Sequence, residues 1–191
     1  MYDRRLNEDA INAHNEYRKV HGCPALTLDN KLAEGAQKYA ERLAQLRKLI
    51  HSDSKEYGEN LATSISSQKA TLTGSDASKM WYDEIKLHDF RGEFNEKSGH
   101  FTQLIWKSTV KAGFGVASTK DGHQVFVVGR YMPPGNMLGE FFKNVPPVLT
   151  AGAAQFNPKH ILPTRPRPKI IMHGNFRRKR ERHTAPSIAI V

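Results

Sequence analysis

The stretch that decides the fold is Gly99-His100-Phe101-Thr102-Gln103-Leu104-Ile105-Trp106-Lys107-Ser108-Thr109. Phe101, Leu104 and Ile105 recur at the spacing of one apolar helix face, so this stretch predicts a short helix that packs on a core. His100 lies beside that face, on the first turn. A titratable ring in this position is either a hydrogen-bonded structural histidine or a group that lines a cleft, and the residues alone leave both interpretations open.

Length and charge divide the chain into two parts. The 191 residues are enough for one domain with a tail, and the formal net charge is +10. Residues 148–191 hold nine of the Lys and Arg residues and one acidic residue, so they carry +8 and leave +2 for residues 1–147. We therefore predict a domain over 1–147 and a disordered, Pro- and Arg-rich basic tail over 148–191.

The basic run Arg177–Arg182 has several interpretations. It could bind anionic lipid, bind nucleic acid, act as a nuclear address, or remain a solvated tail. No aromatic residues are interleaved with the basic ones, which argues against nucleic acid as the partner.

The cysteine content and the first residues indicate the class of protein. Cys23 is the single cysteine, so no disulfide can form within the chain. The first residues lack the apolar segment of a secretory signal, Tyr2 is incompatible with N-myristoylation, and no apolar run is long enough to span a membrane. We expect an intracellular protein without a transmembrane segment, or an extracellular one if the true N-terminus lies upstream of Met1.

Hydrophobic periodicity predicts three further helices and a hairpin. The helices cover residues 7–20, a segment from an N-cap at Asp29 to about residue 50, and a segment that starts at Ser75 or Asp76. Residues 63–74 are rich in Ser and Thr and carry no clear pattern. Two strands are predicted on either side of Asp121-Gly122, a dipeptide typical of hairpin turns.

One acidic residue requires a partner. Glu84 lies on the apolar stripe of the third helix, three residues after Trp81. A carboxylate on an aromatic face is costly unless it is paired, so we expect Glu84 to meet a cation, a histidine or a backbone donor. His51, at the end of the second helix, and Glu59, in a predicted turn, have ordinary explanations: a favourable helix-end charge and a solvated carboxylate.

Four motifs, in order along the chain, resemble those of the CAP superfamily of cysteine-rich secretory, antigen 5 and pathogenesis-related proteins. They are His14-Asn15 with Arg18, Gly58-Glu59-Asn60-Leu61, the stretch 99–109, and Val127-Val128-Gly129-Arg130-Tyr131-Met132-Pro133-Pro134-Gly135-Asn136. The low cysteine content is similar to the intracellular branch of Golgi-associated plant pathogenesis-related proteins. The basic tail and Tyr2 depart from that branch, which carries an N-terminal myristoyl anchor.

The resemblance implies an α+β fold, a three-layer α-β-α sandwich with a central antiparallel sheet. It also implies a cleft that contains His51, Glu59, Glu84 and His100. In that cleft His51 and His100 would be ligands of a weakly held Zn²⁺ ion. Glu59 and Glu84 would orient them, or act as general bases if the protein is an enzyme.

The resemblance supports two functional hypotheses. The first is a binding module for anionic phospholipid or sterol, peripheral on Golgi or other endomembranes and able to form a homodimer. The basic tail would strengthen such membrane binding. The alternative is a weak metal- or carboxylate-assisted hydrolase that uses the same cleft. No Ser or Cys lies in a motif that marks a nucleophile, so we favour the binding module.

Overall fold

The computed structural model describes residues 1–92 and 94–149, and the backbone of 169–170 and 187–190. Helices and strands are interspersed along the domain. Their bounds are α1 Arg4–Val20, β1 Thr27–Leu28, α2 Asn30–Leu46, β2 Gly58–Ile65, α3 Gly74–Asp83, α4 Gly99–Ile105, β3 Lys111–Ser118, β4 Gln124–Met132, α5 Phe141–Asn144, β5 Lys169–Ile170 and β6 Ser187–Ile190.

The sheet has the order β1-β3-β4-β2-β6-β5. Its centre is antiparallel, as predicted: β3 and β4 form the hairpin around Gly122, and β2 pairs with the other edge of β4. The antiparallel description does not extend to every pair, because β1 runs parallel to β3 and β5 runs parallel to β6. The sheet is therefore mixed.

Side chains that alternate along the strands give the sheet two apolar faces. Phe126 and Val128 of β4 join Leu61 of β2 in a buried cluster with the apolar side of α2. Val125 and Val127 belong to the opposite cluster, which is completed by α1, α3 and α4. Helices thus cover both faces of the sheet, and the predicted α+β three-layer sandwich is confirmed.

Local chemistry at the helix ends confirms one predicted bound and corrects two others. Asp29 is the N-cap of α2, as predicted, and accepts hydrogen bonds from the backbone of Lys31 and Leu32. The cap of α3 is Thr73 rather than Ser75 or Asp76, because Thr73 and Asp76 form a reciprocal capping box. The second helix ends at residue 46, earlier than predicted, because Arg47 adopts a left-handed conformation with φ 51°.

Strand β2 is the element that the sequence pattern did not predict. Its polar residues Asn60, Thr63 and Ser64 are all buried, so they do not mark a solvent face. Asn60 and Thr63 are compatible with burial because the fold supplies partners; the Thr63 hydroxyl, for example, donates to the carbonyl of Val125 at 2.8 Å. Binary patterning fails where buried polar residues are satisfied by neighbours distant in sequence.

A buried arginine fixes the end of α4. The guanidinium of Arg18 in α1 donates to the carbonyl oxygens of Leu104, Trp106 and Thr109, at 2.8–2.9 Å. It also donates to Pro24 at 2.7 Å. A cation at the carboxyl end of a helix is favourable, and these four carbonyls replace the water that the cation loses on burial. Burial nevertheless lowers the pKa of Arg18 to about 10.

Most of the predicted tail, 148–191, lies outside the described residues, so its disorder stays a prediction. The two tail strands that are described extend the sheet, since β6 pairs antiparallel with residues 62–65 of β2. Cys23 is buried next to the end of α1, and burial raises the pKa of its thiol. In the described part of the chain no helix is both long enough and apolar enough to traverse a lipid bilayer.

Candidate functional site

Glu84 and His100 form the more enclosed of two histidine–glutamate pairs. Oε1 of Glu84 accepts a hydrogen bond from Nδ1 of His100 at 2.7 Å. Its other oxygen accepts from the backbone N–H groups of His100 and Phe101, at 3.0 and 3.3 Å. Both side chains are largely buried, with 11% of His100 and 14% of Glu84 exposed. These donors are the partners that the sequence requires for Glu84.

Helix ends position this pair. Glu84 ends α3 and starts a short 3₁₀ turn that runs to Leu87, while His100 lies on the first turn of α4. The first N–H groups of a helix have no partner within the helix, and Glu84 accepts from two of them. The glutamate therefore caps α4 and orients the imidazole with the same carboxylate.

His51 and Glu59 form the second pair, which is more open. Oε1 of Glu59 accepts from Nδ1 of His51 at 3.1 Å and from the backbone N–H of Ser52 at 2.8 Å. The Ser52 hydroxyl donates to Oε2 at 2.9 Å. Here only 7% of the Glu59 side chain is exposed, against 45% of the His51 side chain. The carboxylate is fixed, and the ring projects from it toward solvent.

Arg130 holds the inner side of Glu59. The two residues are directly opposite each other on β4 and β2, and Nε of Arg130 donates to Oε2 of Glu59 at 3.3 Å. Burial acts to raise the pKa of Glu59, but the hydrogen bonds from His51 and Ser52 and the charge of Arg130 outweigh it and lower that pKa below its ordinary value. Glu59 is therefore a carboxylate at neutral pH.

A buried chain of hydrogen bonds connects β2 to the core. Nδ2 of Asn60 donates to the carbonyl of His100 at 3.1 Å and to the hydroxyl of Tyr131 at 3.3 Å. The Tyr131 hydroxyl lies 2.9 Å from Nε2 of His14. Asn60 follows Glu59 in β2. Its hydrogen bond to the carbonyl of His100 therefore connects the strand that carries Glu59 to the helix that carries His100.

The partners of His14 determine its tautomer. Its Nδ1 lies 2.8 Å from the carbonyl of Ala10, which can only accept, so Nδ1 carries the proton. Nε2 is then the acceptor for the Tyr131 hydroxyl. His14 is fully buried, and burial lowers its pKa to about 3, with the backbone hydrogen bond opposing the shift and Arg18 adding to it. This histidine is neutral and structural.

The same logic gives the two outer histidines a different chemistry. In both pairs a carboxylate oxygen faces Nδ1, so in the neutral tautomer that this contact favours the proton is on Nδ1, and Nε2 is the nitrogen with a lone pair. Among residues 1–92 and 94–149, no three His, Cys, Asp or Glu side chains form a group that could hold a metal ion. The joint cleft of His51, Glu59, Glu84 and His100 therefore stays a prediction, in which the protein would supply two imidazoles.

Sequence reasoning missed several residues that build this region. Ser52, Arg130 and Tyr131 all contact a predicted site residue or its neighbours, yet none of them differs in type or spacing from ordinary surface or strand residues. One signal was available: Arg130 and Tyr131 belong to a motif that carries the resemblance, as do His14 and Asn60. Their contacts to one another depend on the fold, which the sequence order alone does not supply.

The chain matches the CAP, or Cysteine-rich secretory protein, family over residues 11–131. Golgi-associated plant pathogenesis-related protein 1 from Homo sapiens is 43% identical over 143 residues, which cover 73% of this chain and 90% of that protein. Protein PRY2 from Saccharomyces cerevisiae is 38% identical over 141 residues, but the match spans only 40% of its length.

Solved structures support the fold. BmVAL-1 superposes with a TM-score of 0.61 at 22% identity, covering 71% of this chain and 80% of that one. NaASP2, solved with Zn²⁺, superposes with a TM-score of 0.58 at 20% identity, covering 84% of this chain and 95% of that one. The match over residues 11–131 and the relative that is 43% identical establish that the chain belongs to the CAP family.

Proposed function

We propose that this protein is a CAP-domain binding protein that associates with anionic lipid surfaces and holds a divalent metal ion between His51 and His100. The observation that carries the metal proposal is that each ring has its Nδ1 against a carboxylate. This arrangement is typical of histidines that bind zinc through Nε2. When bound, the metal would supply a positive centre for an anionic ligand.

The donor set fits a labile ion rather than a structural one. Structural zinc sites have four protein ligands, whereas His51 and His100 would be two, with water or a ligand completing the coordination. Because 45% of the His51 side chain is exposed, this half of the site is open to exchange with solvent. The superposable NaASP2, which was solved with Zn²⁺, is consistent with this proposal.

The lipid proposal is supported by charge. Residues 148–191 carry +8 and include the run Arg177–Arg182. Each basic residue held near an anionic leaflet contributes about 1 kcal/mol to the free energy of membrane binding. Even part of this segment would therefore retain the protein at a membrane. We propose an endomembrane location, which is supported by a relative 43% identical that is named as Golgi-associated. Sterol binding and homodimer formation stay predictions.

The hydrolase alternative has less support. Burial raises the pKa of the Cys23 thiol, which opposes nucleophilic attack. The Ser52 hydroxyl donates to Glu59, but the lowered pKa of Glu59 makes it a poor base. Neither the Cys23 thiol nor the Ser52 hydroxyl is therefore activated as a nucleophile.

Two experiments test the proposal. Calorimetric titration with Zn²⁺ should show binding that is lost in the variant His51→Ala/His100→Ala and retained in His123→Ala. His123 is a matched control because its Nδ1 faces only backbone carbonyls, of Ser66 and Gln68. Equal zinc binding by the double variant and the control would exclude this metal site.

The lipid arm uses the full chain with Arg177, Arg178, Lys179 and Arg180 changed to Gln. The unchanged protein should float with vesicles that contain anionic lipid at low salt and dissociate at high salt. The neutralised variant should float less. If both float equally, the tail does not provide the attraction.

A further inference from the structure

The guanidinium of Arg130 is held on three sides. Its Nε donates to Glu59 at 3.3 Å, and the guanidinium lies over the rings of two tyrosines. The carbon at the centre of the guanidinium lies 4.1 Å from the ring centroid of Tyr57 and 5.3 Å from that of Tyr39. Only 8% of the residue is exposed. Cation–π contacts of this kind stabilise a buried arginine and fix the plane of its guanidinium.

The two Nη groups form the fourth side of the guanidinium, beside Gly35 of α2. Among the described residues, no protein group accepts a hydrogen bond from Nη1 or Nη2 of Arg130. No buried side-chain nitrogen or oxygen in the described part lacks a partner, so these two nitrogens reach the solvent. The two Nη groups thus have no protein acceptor among the described residues and contact solvent at the edge of a side chain that is only 10% exposed.

Helix α2 leaves room for these donors. Gly35 lies in the interior of the helix, where glycine reduces helix stability relative to alanine. A Cβ atom at this position would lie 2.8 Å from Nη1 of Arg130. Lys38 and Arg42 follow at i+3 and i+7 and share this side of the helix. Burial raises the pKa of Tyr39. The charges of Glu59 and Asp53 act in the same direction, and those of Arg42 and Arg130 oppose them.

We propose that the Nη edge of Arg130 binds a phosphate group, as a second ligand subsite beside Glu59. A planar guanidinium presents two parallel N–H donors that match two oxygens of a phosphate, and such bidentate pairs are stronger than neutral hydrogen bonds. The ordering that the contacts to Tyr39, Tyr57 and Glu59 impose lowers the entropic cost of binding. This inference rests on the proposed function in one respect, because an anionic lipid headgroup is one source of the phosphate.

The test measures phosphate binding by the full chain. Inorganic phosphate and a soluble short-chain phosphatidic acid are titrated by calorimetry, and phosphatidylcholine vesicles with and without phosphatidic acid are used for flotation. We expect Arg130→Gln to weaken phosphate binding about 10- to 100-fold, and Arg130→Lys to weaken it less because the charge remains. Arg47→Gln is the matched control, since Arg47 is an exposed arginine paired with Asp121 at 2.7 Å.

A second variant covers the case in which Arg130→Gln does not fold. Gly35→Ala places a methyl group against Nη1 without removing the charge, so it should also weaken phosphate binding. Unchanged affinity in both Arg130→Gln and Gly35→Ala, or no phosphate binding by the unchanged chain, would overturn the subsite.

These titrations and flotation assays distinguish a soluble phosphate compound from a lipid headgroup. They also distinguish the Arg130 subsite from the lipid-binding proposal. Binding of inorganic phosphate without a preference for phosphatidic acid indicates a soluble phosphate compound, and binding of the lipid alone indicates a headgroup. If the unchanged chain floats and Arg130→Gln floats equally well, the subsite fails while the lipid proposal holds. If the unchanged chain does not float but binds phosphate through Arg130, the lipid proposal fails while the subsite holds.

Discussion

His14 in the core and His51 at the surface are both hydrogen-bonded through Nδ1, yet they differ in the acceptor. Nδ1 of His14 faces a backbone carbonyl and its Nε2 accepts from Tyr131, so the ring is saturated, neutral and structural. Nδ1 of His51 faces the carboxylate of Glu59, and 45% of its side chain is exposed. A neutral acceptor with burial produces a core histidine, whereas a charged acceptor at the surface produces a candidate ligand.

The largest expected effect tests the neutral state of His14. Its pKa is about 3 in the folded chain and 6.5 in the unfolded chain, so acid favours the unfolded state, which takes up the proton. The free energy of unfolding should fall as the pH decreases from about 6.5 toward 3, by about 1.4 kcal/mol per pH unit from this residue. His21 and His88, whose pKa values are also lowered by burial, act in the same direction.

The measurement is urea denaturation at several pH values. The slope of the free energy of unfolding against pH, between pH 6.5 and 5, should be smaller in His14→Gln by about 1 kcal/mol per pH unit. Glu59→Gln should leave that slope unchanged, because a lowered carboxylate pKa loses its contribution only at more acidic pH, below about 4.5. A slope that does not depend on His14 would show that the ring takes up its proton equally in the folded and the unfolded protein.

The next effect concerns the charge behind His51. Glu59→Gln removes the anion opposite Arg130, whose side chain is 10% exposed, and should reduce the free energy of unfolding by about 3 kcal/mol. The double variant Glu59→Gln/Arg130→Met should recover part of that loss, since no unpaired charge remains. Urea denaturation of Glu59→Gln, Arg130→Met and the double variant gives the coupling free energy between the two side chains. If the two losses are additive, Glu59 and Arg130 do not stabilise each other.

Removal of Glu84 should have a smaller effect. Glu84→Ala leaves two backbone N–H groups of α4 and the His100 ring without their acceptor. The free energy of unfolding should fall by about 2 kcal/mol, and no more, because water can replace part of the lost hydrogen bonding. Thermal unfolding monitors the loss. Glu84→Gln is the conservative control, since its amide oxygen can still accept, and an equal loss in both variants would indicate that charge rather than hydrogen bonding is decisive.

The smallest effect on stability is expected at His51. His51→Ala should change the free energy of unfolding by less than about 0.5 kcal/mol, because the ring is half-exposed and Glu59 keeps Ser52 and Arg130. The same variant should lose most of the zinc affinity measured for the unchanged chain. A large loss of stability would place His51 with His14 among the structural histidines.

The fold was predictable because its signals are local. The N-cap Asp29, the apolar face of α4 and the hairpin at Gly122 depend on a few consecutive residues, and the structure contains all three. Strand β2 was not predictable from its pattern, since Asn60 and Thr63 are buried by partners on β4 and α4.

The candidate site shows the same division. That Glu84 needs a partner follows from its place on an apolar stripe, and the partner is His100. The contact of Arg130 with Glu59 depends on strand register, which no single segment contains. The resemblance supplied the four predicted residues, whereas the contacts that hold them in place required the fold.

The single thiol has a practical consequence. Cys23 is buried and its pKa is raised by burial, so it should react with thiol reagents only when the segment between α1 and β1 opens. With one sulfhydryl in 191 residues, the rate of modification reports that local opening without any engineered label. The chain thus carries its own kinetic probe, placed beside the arginine that anchors α4.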